Sequence, residues 1–428
     1  MPVPSENPGS IFRDDNFRRL VVAQFVSDTG TAVTALALPL TALAVLHASP
    51  FVLGLLGAAS ALPQLLLSLW AGTVADRGDK RTLMLYCDAG RCLLVLSVPL
   101  AAALHALTLP HVFLVAFLEA SIGLFFDAAH SGFPPDLFGR GPRLEEALGK
   151  LNASFSTALL VGPSLAGFLV AAVGAPAAMV GDGASYAISF LFLLRIAVSR
   201  PRVERPRGAG IPRAGFFASQ GEGLKFVFAH REFRSIALAN GVDSFFLAAW
   251  NALWLLYVVR HLHWTAQAAG LVLGIGAAGG VVGALVAQRA TRRFGMTRVL
   301  VVSSFATAPC EAVTLAVHPG PAGQAAVLAS FVVVMFFVFL YTTAARSFRQ
   351  MACPSDMLGR VMMAGRWLSW GGRPLGAFAG GVAGATVGVR SALLLAVLGL
   401  LLPPVILMTG LPRHGPDRRA HALEETSA

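Results

Sequence analysis

Three carboxylates stand inside long apolar runs: Asp28, Glu119 and Asp243. An ionised side chain at the centre of hydrocarbon costs about 2.5–3.5 kcal/mol on insertion scales, so such an acid needs water, a counter-ion or a proton within reach. Its chemistry is proton exchange: dry surroundings favour the neutral carboxyl, and opening to water or binding a cation favours the anion. The alternative for each is an acid hydrogen-bonded to neighbouring helices with no coupling role.

A second group is the turn from Gly72 to Leu83, which holds Gly72, Asp76, Arg77, Lys80 and Arg81 between two apolar runs. Hydrocarbon cannot solvate such a turn, so it lies in water at a membrane face. A carboxylate there accepts hydrogen bonds from an arginine or a helix N-terminus. In the fifth apolar run, Gly162, Pro163 and Gly167 combine a lost backbone hydrogen bond with small residues that admit a close neighbour. Gln24, Asn240, Trp250, Trp254 and Tyr341 are the candidates for lining a cavity, with cation–π contact available at the tryptophans. Asp88 and Arg91 are three apart on one helix, a spacing that allows them to pair. Arg373 lies within an apolar run and needs a partner that the sequence does not name.

Other chemistries find no support. Cys87, Cys92, Cys310 and Cys353 show no ligand spacing, and Cys87 and Cys92 point to different sides of one helix, so all four read as packing residues. His261 and His263 belong to an outer loop, and no nucleotide-binding loop occurs, so neither a metal nor ATP chemistry is expected and no cofactor is required.

These residues need elements to position them. The chain has 428 residues, 56% hydrophobic and 13% charged, which describes a polytopic membrane protein. The net charge of +11 comes in small groups between apolar runs, without the basic stripe and interleaved aromatics of a nucleic-acid binder. A span needs about 20 apolar residues, and about twelve such runs occur, from residues 19–46 to residues 389–411. The first continues past its Ala35-Leu36-Ala37 and reads as an uncleaved helix rather than a signal peptide. Twenty-nine of the 33 Lys and Arg fall on one set of alternate loops and termini. By the positive-inside rule both termini are cytoplasmic, with the chain in the cell membrane.

The polar stretch from Ser199 to Gln220 reads as a linker. It divides the chain into a six-helix bundle over residues 1–198, a cytoplasmic linker with an amphipathic segment over 199–231, a second six-helix bundle over 232–411 and a tail over 412–428. The halves echo each other at an offset of 216: Phe17-Arg18-Arg19-Leu20 with Ala23-Gln24 is answered by Phe233-Arg234-Ser235-Ile236 with Ala239-Asn240. Internal repeats of this kind build many secondary transporters. At the same offset Asp243 aligns with Ser27, beside Asp28.

The turn around Asp76 resembles the signature loop of the major facilitator superfamily. With Gln24, Phe126-Asp127, Pro135-Asp136-Leu137, Arg346 to Gln350, Leu358-Gly359-Arg360-Val361 and Trp370-Gly371, the chain is similar to the macrolide-efflux and enterobactin-exporter-like branch. Gly162-Pro163 with Gly167 resembles the fifth-helix motif of its proton-driven exporters. The resemblance implies an all-α fold of twelve transmembrane helices in two pseudo-symmetric bundles, with the first, fourth and seventh helices lining a central cavity. It implies proton-linked efflux of a small, bulky, partly apolar molecule by a monomer, with Asp76 in gating and Asp127 and Asp182 structural. A proton-linked uptake symporter and a non-transporting receptor or assembly protein on the same fold are the alternatives.

Overall fold

A computed structural model describes residues 11–139, 141–197, 224–353 and 358–411. The linker expected from Ser199 to Gln220 and the tail from residue 412 lie outside the described residues. Among those described, the structure is helical with no strand. Six helices precede the linker: α1 (Asp15–Ala44), α2 (Pro50–Arg77), α3 (Lys80–Ala103), α4 (Leu109–Phe138), α5 (Pro142–Val173) and α6 (Ala175–Leu194). After it come α7 (Arg231–Arg260), α8 (Ala266–Phe294), α9 (Met296–Ala316), α10 (Pro321–Ala352), α11 (Leu358–Thr386), α12 (Val389–Gly399) and α13 (Leu402–Gly410). Helical residues 224–229, within the expected amphipathic segment, precede α7.

Eleven helical segments of the described residues are long and apolar enough to cross a membrane, α12 and α13 together forming one. The remaining expected span, 360–386, is α11, which is helical over 29 residues but carries Arg373. In hydrocarbon each span must satisfy its own backbone, so long apolar runs have no option but helix.

The repeat is visible in the backbone. α1 starts at Asp15 and α7 at Arg231, α2 at Pro50 and α8 at Ala266, α3 at Lys80 and α9 at Met296, α5 at Pro142 and α11 at Leu358, each pair 216 residues apart. The match reaches single dihedrals: His47 and His263, in the turns after α1 and α7, both adopt left-handed backbone, at φ 50° and 55°. Each is followed by a residue whose N–H returns to the preceding helix, Ala48 to Ala42 O at 2.9 Å and Trp264 to Val258 O at 3.0 Å.

By contact the chain divides into two units: the described residues of Met1–Thr41 with Leu66–Val203, and of Ala42–Leu65 with Glu204–Ala428. The hairpin Ala42–Leu65 therefore groups with the second unit and not with the rest of residues 1–198. Glycine explains this locally. A Cβ on Gly54 would sit 2.7 Å from Ala377 O and Gly381 N of α11, an approach only a bare α-carbon permits. Arg260 also donates to Ala48 O at 3.3 Å.

Within unit 2, α7 and α11 meet along matched four-residue ridges. Gly372, Gly376, Gly380 and Gly384 of α11 face Gly241, Phe245, Ala249 and Leu253 of α7. Each glycine removes the side chain that would hold the two backbones apart. In α8, Gly279 and Gly283 similarly abut the backbone of Val332 and Phe336 in α10.

In unit 1 the basic residues of the Gly72 to Leu83 turn act as staples. Asp76 and Arg77 close α2, and Lys80 and Arg81 open α3, so the polar turn between the helices is Gly78-Asp79 alone. Asp79 caps α3 by accepting from Arg81 N at 3.2 Å. Buried Lys80 donates to Gly132 O at 2.8 Å and Asp136 Oδ2 at 2.6 Å, joining α3 to α4. Arg81 donates to Leu193 O and Leu194 O at 2.9 and 2.6 Å, and Arg19 to Arg195 O, so cations meet the carbonyls at and just past the end of α6, where the helix leaves acceptor capacity unused.

Candidate functional site

Each unit holds a polar cavity among its described residues, and the repeat places the two on equivalent helix faces. In unit 1, Ser27, Asp28 and Thr31 of α1 line a cavity of about 240 Å³ with Arg91, Gly123, Phe126, Asp127, Phe155 and Pro163. In unit 2, the positions 216 further on, Asp243, Ser244 and Leu247 of α7, line a cavity of about 590 Å³. The acid moves one position between the halves: Asp28 is matched by Ser244, and Ser27 by Asp243.

Asp28 reaches its cavity from the middle of α1. Its Oδ2 is buried with no hydrogen-bond partner, and neighbouring Gln24 has an equally unpartnered Oε1. Asp127 of α4 lines the same space. Gly162, one residue before the lining Pro163, lets α5 close on α1: a Cβ there would lie 2.7 Å from the Ala32 methyl and 3.5 Å from Thr29 O. Gly167 is buried further along α5.

Glu119 is held differently from Asp28. Arg91 Nε donates to Glu119 Oε1 at 3.1 Å, and its Nη2 bonds the same oxygen. Tyr186 Oη donates to that oxygen at 3.2 Å, Arg91 Nη2 reaches Thr31 Oγ1 at 3.2 Å, and the guanidinium stacks 4.3 Å from the Tyr186 ring centroid. Thr31, Arg91, Glu119 and Tyr186 thus tie α1, α3, α4 and α6 together. The Asp88–Arg91 pair that the spacing allows does not form: Asp88 is fully buried, faces Ser189, and has no partner at hydrogen-bond geometry for either oxygen. Asp182 accepts from Thr34 and Ser185.

The unit 2 cavity draws on five helices. α7 supplies Asn240 and Asp243, α9 Ser303, Ser304 and Thr307, α10 Phe337, Tyr341, Arg346 and Arg349, α11 Trp370 and Arg373, and α13 Pro403. Tyr341 Oη donates to Asn240 Oδ1 at 2.6 Å, fixing two expected lining residues against each other. The Arg373 guanidinium carbon lies over the Trp370 ring, 4.7 Å from its centroid, and Arg373 shares the cavity with Asp243, the carboxylate whose charge acts on it.

Trp250 and Trp254 are corrected from cavity lining to core. Trp250 is 1% exposed and lies beside buried Glu311. Trp254 packs on Trp264 and Phe331 with centroids 6.3 and 6.4 Å away. Of the unit 1 signature turn, Lys80 and Arg81 serve the bundle through the staples above, while Asp76 is exposed at the end of α2. Among the residues that sequence reasoning did not assign to a site are Thr31, Tyr186, Arg346 and Arg349. A signal for the last two exists: 338, 342, 345, 346 and 349 fall on one face of α10.

Comparison with known proteins agrees with this architecture. A family profile described as transmembrane secretion effector matches residues 7–422. A protein named multidrug efflux pump Tap, from Mycolicibacterium fortuitum, is 26% identical over 401 residues, 90% of this chain and 93% of that one. In fold the chain is similar to a bacterial homologue of the iron transporter ferroportin, with a TM-score of 0.72 and 14% identity over 94% of this chain and 99% of that one. It is also similar to the nucleoside transporter NupG, with a TM-score of 0.70 and 14% identity over 92% and 98% of the two chains. With nearly the whole chain inside one family profile and its helices in two repeated halves, the protein belongs to the transmembrane secretion effector family of the major facilitator superfamily and is a membrane transporter, not an enzyme.

Proposed function

We propose that the protein exports a small, bulky, partly apolar molecule from the cell, driven by the proton gradient, as a multi-pass protein of the cell membrane with both termini cytoplasmic. The observation that carries this reading is the cavity of unit 1, where Asp28 presents an oxygen with no partner while Arg91, the cation in the same cavity, is engaged by Glu119. A carboxylate without a fixed counter-ion has its charge state decided by whether water or a cation reaches it, which is what proton coupling requires. Glu119 already has its counter-ion and Asp243 shares its cavity with three arginines, so among the three acids Asp28, with its unpartnered oxygen, takes the proton-carrying role. Gly162 and Pro163 support the exporter reading by placing α5 directly against the Asp28 helix. The efflux activity of the Mycolicibacterium relative, which aligns over 90% of this chain, favours the same direction.

The test is accumulation of labelled apolar compounds in cells with and without the protein, repeated after the proton gradient is collapsed. Lower accumulation that disappears with the gradient, and disappears in Asp28→Asn, is the expected result. Higher accumulation in expressing cells would mean uptake instead.

A further inference from the structure

The two cavities have opposite charge. Around the unit 1 cavity the titratable groups are Asp28, Asp127 and Arg91, and Arg91 is paired to Glu119. Around the unit 2 cavity they are Tyr341, Arg346, Arg349 and Arg373 with Asp243 as the sole carboxylate among the described lining residues, leaving a net of two positive charges with the phenol neutral. No ion pair within 4 Å joins any of these three arginines to a carboxylate among the described residues. Arg373 is exposed to the cavity although it sits 15 residues into α11, about 22 Å along the axis at 1.5 Å per residue.

The arrangement has a direction. Arg349 lies three residues from the end of α10 and Arg346 six, at the end of the bundle where α7 and α11 begin. Asp243 lies 12 residues into α7, close in depth to Arg373. Cations therefore line the cavity from its basic end to the middle of the helices. Residues retained only for orientation would turn their heads to the lipid headgroups. These face the cavity, and Arg349 is anchored there through Nε to Ala345 O at 3.2 Å. The rest of the wall mixes Leu247, Phe337, Val338 and Trp370 with hydroxyls, so it suits an apolar or aromatic body.

We propose that the unit 2 cavity binds the anionic group of an amphiphilic organic molecule, an oxyanion such as a carboxylate or phosphate carried on an apolar body. Arg373 anchors the anion at depth and Arg346 and Arg349 receive it at the basic end. Asp243 competes with it for Arg373. A guanidinium offers a planar fork of donors that matches an oxyanion, and the Trp370 ring 4.7 Å from the Arg373 guanidinium carbon adds a cation–π neighbour that holds the cation in the cavity. A cavity of about 590 Å³ is the size of a small-molecule site. This names the substrate class of the exporter proposed above and rests on that reading for the anion's being cargo.

The test measures binding, without transport, to the full-length protein in nanodiscs of zwitterionic phosphatidylcholine. The probes are carboxyfluorescein, an aromatic anion, and a rhodamine cation of the same ring system. The anion is expected to bind about ten-fold or more tighter than the cation. Arg373→Gln should weaken it about ten-fold or more, and Arg346→Gln, at the exposed end, by a smaller factor, whereas Asp243→Asn should strengthen it several-fold. The opposite signs at Arg373 and Asp243 separate charge recognition from loss of fold. Absence of anion binding, equal or tighter binding of the cation, or anion affinity unchanged in both arginine variants would overturn the proposal. A protein that binds the anion as expected but exports nothing against a proton gradient would fail the efflux reading alone.

Discussion

Arg91 of α3 is ion-paired to Glu119 of α4 and not to Asp88, one turn away on its own helix. The pair also engages Thr31 and Tyr186, so one guanidinium gathers four helices of unit 1. It separates an acid with a structural task from one left available, Asp28.

The arginine's side chain is 7% exposed and the glutamate's 16%. Removing one partner of such a pair strands the other charge in a poor solvent, at a cost of about 3–5 kcal/mol. Glu119→Gln should therefore lower the melting temperature of the detergent-solubilised protein markedly. Replacing both partners together, as Arg91→Met with Glu119→Leu, should restore more than half of the loss, and a double-mutant cycle on melting curves measures the coupling.

Lys80→Met keeps the apolar stem but removes the ammonium that serves Gly132 O and Asp136. The lysine is 8% exposed, but Asp136 is 40% exposed and can turn to water. The expected loss is about 1–2 kcal/mol, below that of the Arg91 pair, read as a smaller fall in melting temperature.

The ridge of α11 predicts a sharp contrast between glycines. Gly376→Leu places a side chain into the backbone of Phe245 and should abolish folded protein, seen as loss of the monodisperse peak in size-exclusion chromatography. Gly72→Ala meets nothing within 4 Å and should leave the peak unchanged.

Orientation is checked at Gly78, exposed between α2 and α3. Gly78→Cys should react with a membrane-impermeant maleimide in inside-out vesicles and not in intact cells. The reverse pattern would place the Asp76 turn outside and invert the proposed topology. On the same reading, Asp76→Asn should slow export while leaving substrate binding intact.

What the amino-acid order alone determined is the inventory of helices, the 216-residue repeat and the position of each acid along its helix. Hydrocarbon makes this local information: a segment that crosses it must be long, apolar and helical by itself, and the charged turns Gly78-Asp79 and those like it mark where each crossing ends. What tertiary structure decided is which face of each helix meets which neighbour. A span apolar on all sides carries no phase that says where it points. Spacing therefore suggested Asp88 for Arg91 when the partner was 28 residues away at Glu119. For the same reason Trp250 and Trp254 read as cavity residues when they are core, and Lys80 and Arg81 read as loop charges when they pin α3 to α4 and α6. The side-chain partners follow from glycine ridges and helix crossings contributed by residues far apart in the chain, and only the folded arrangement brings those together.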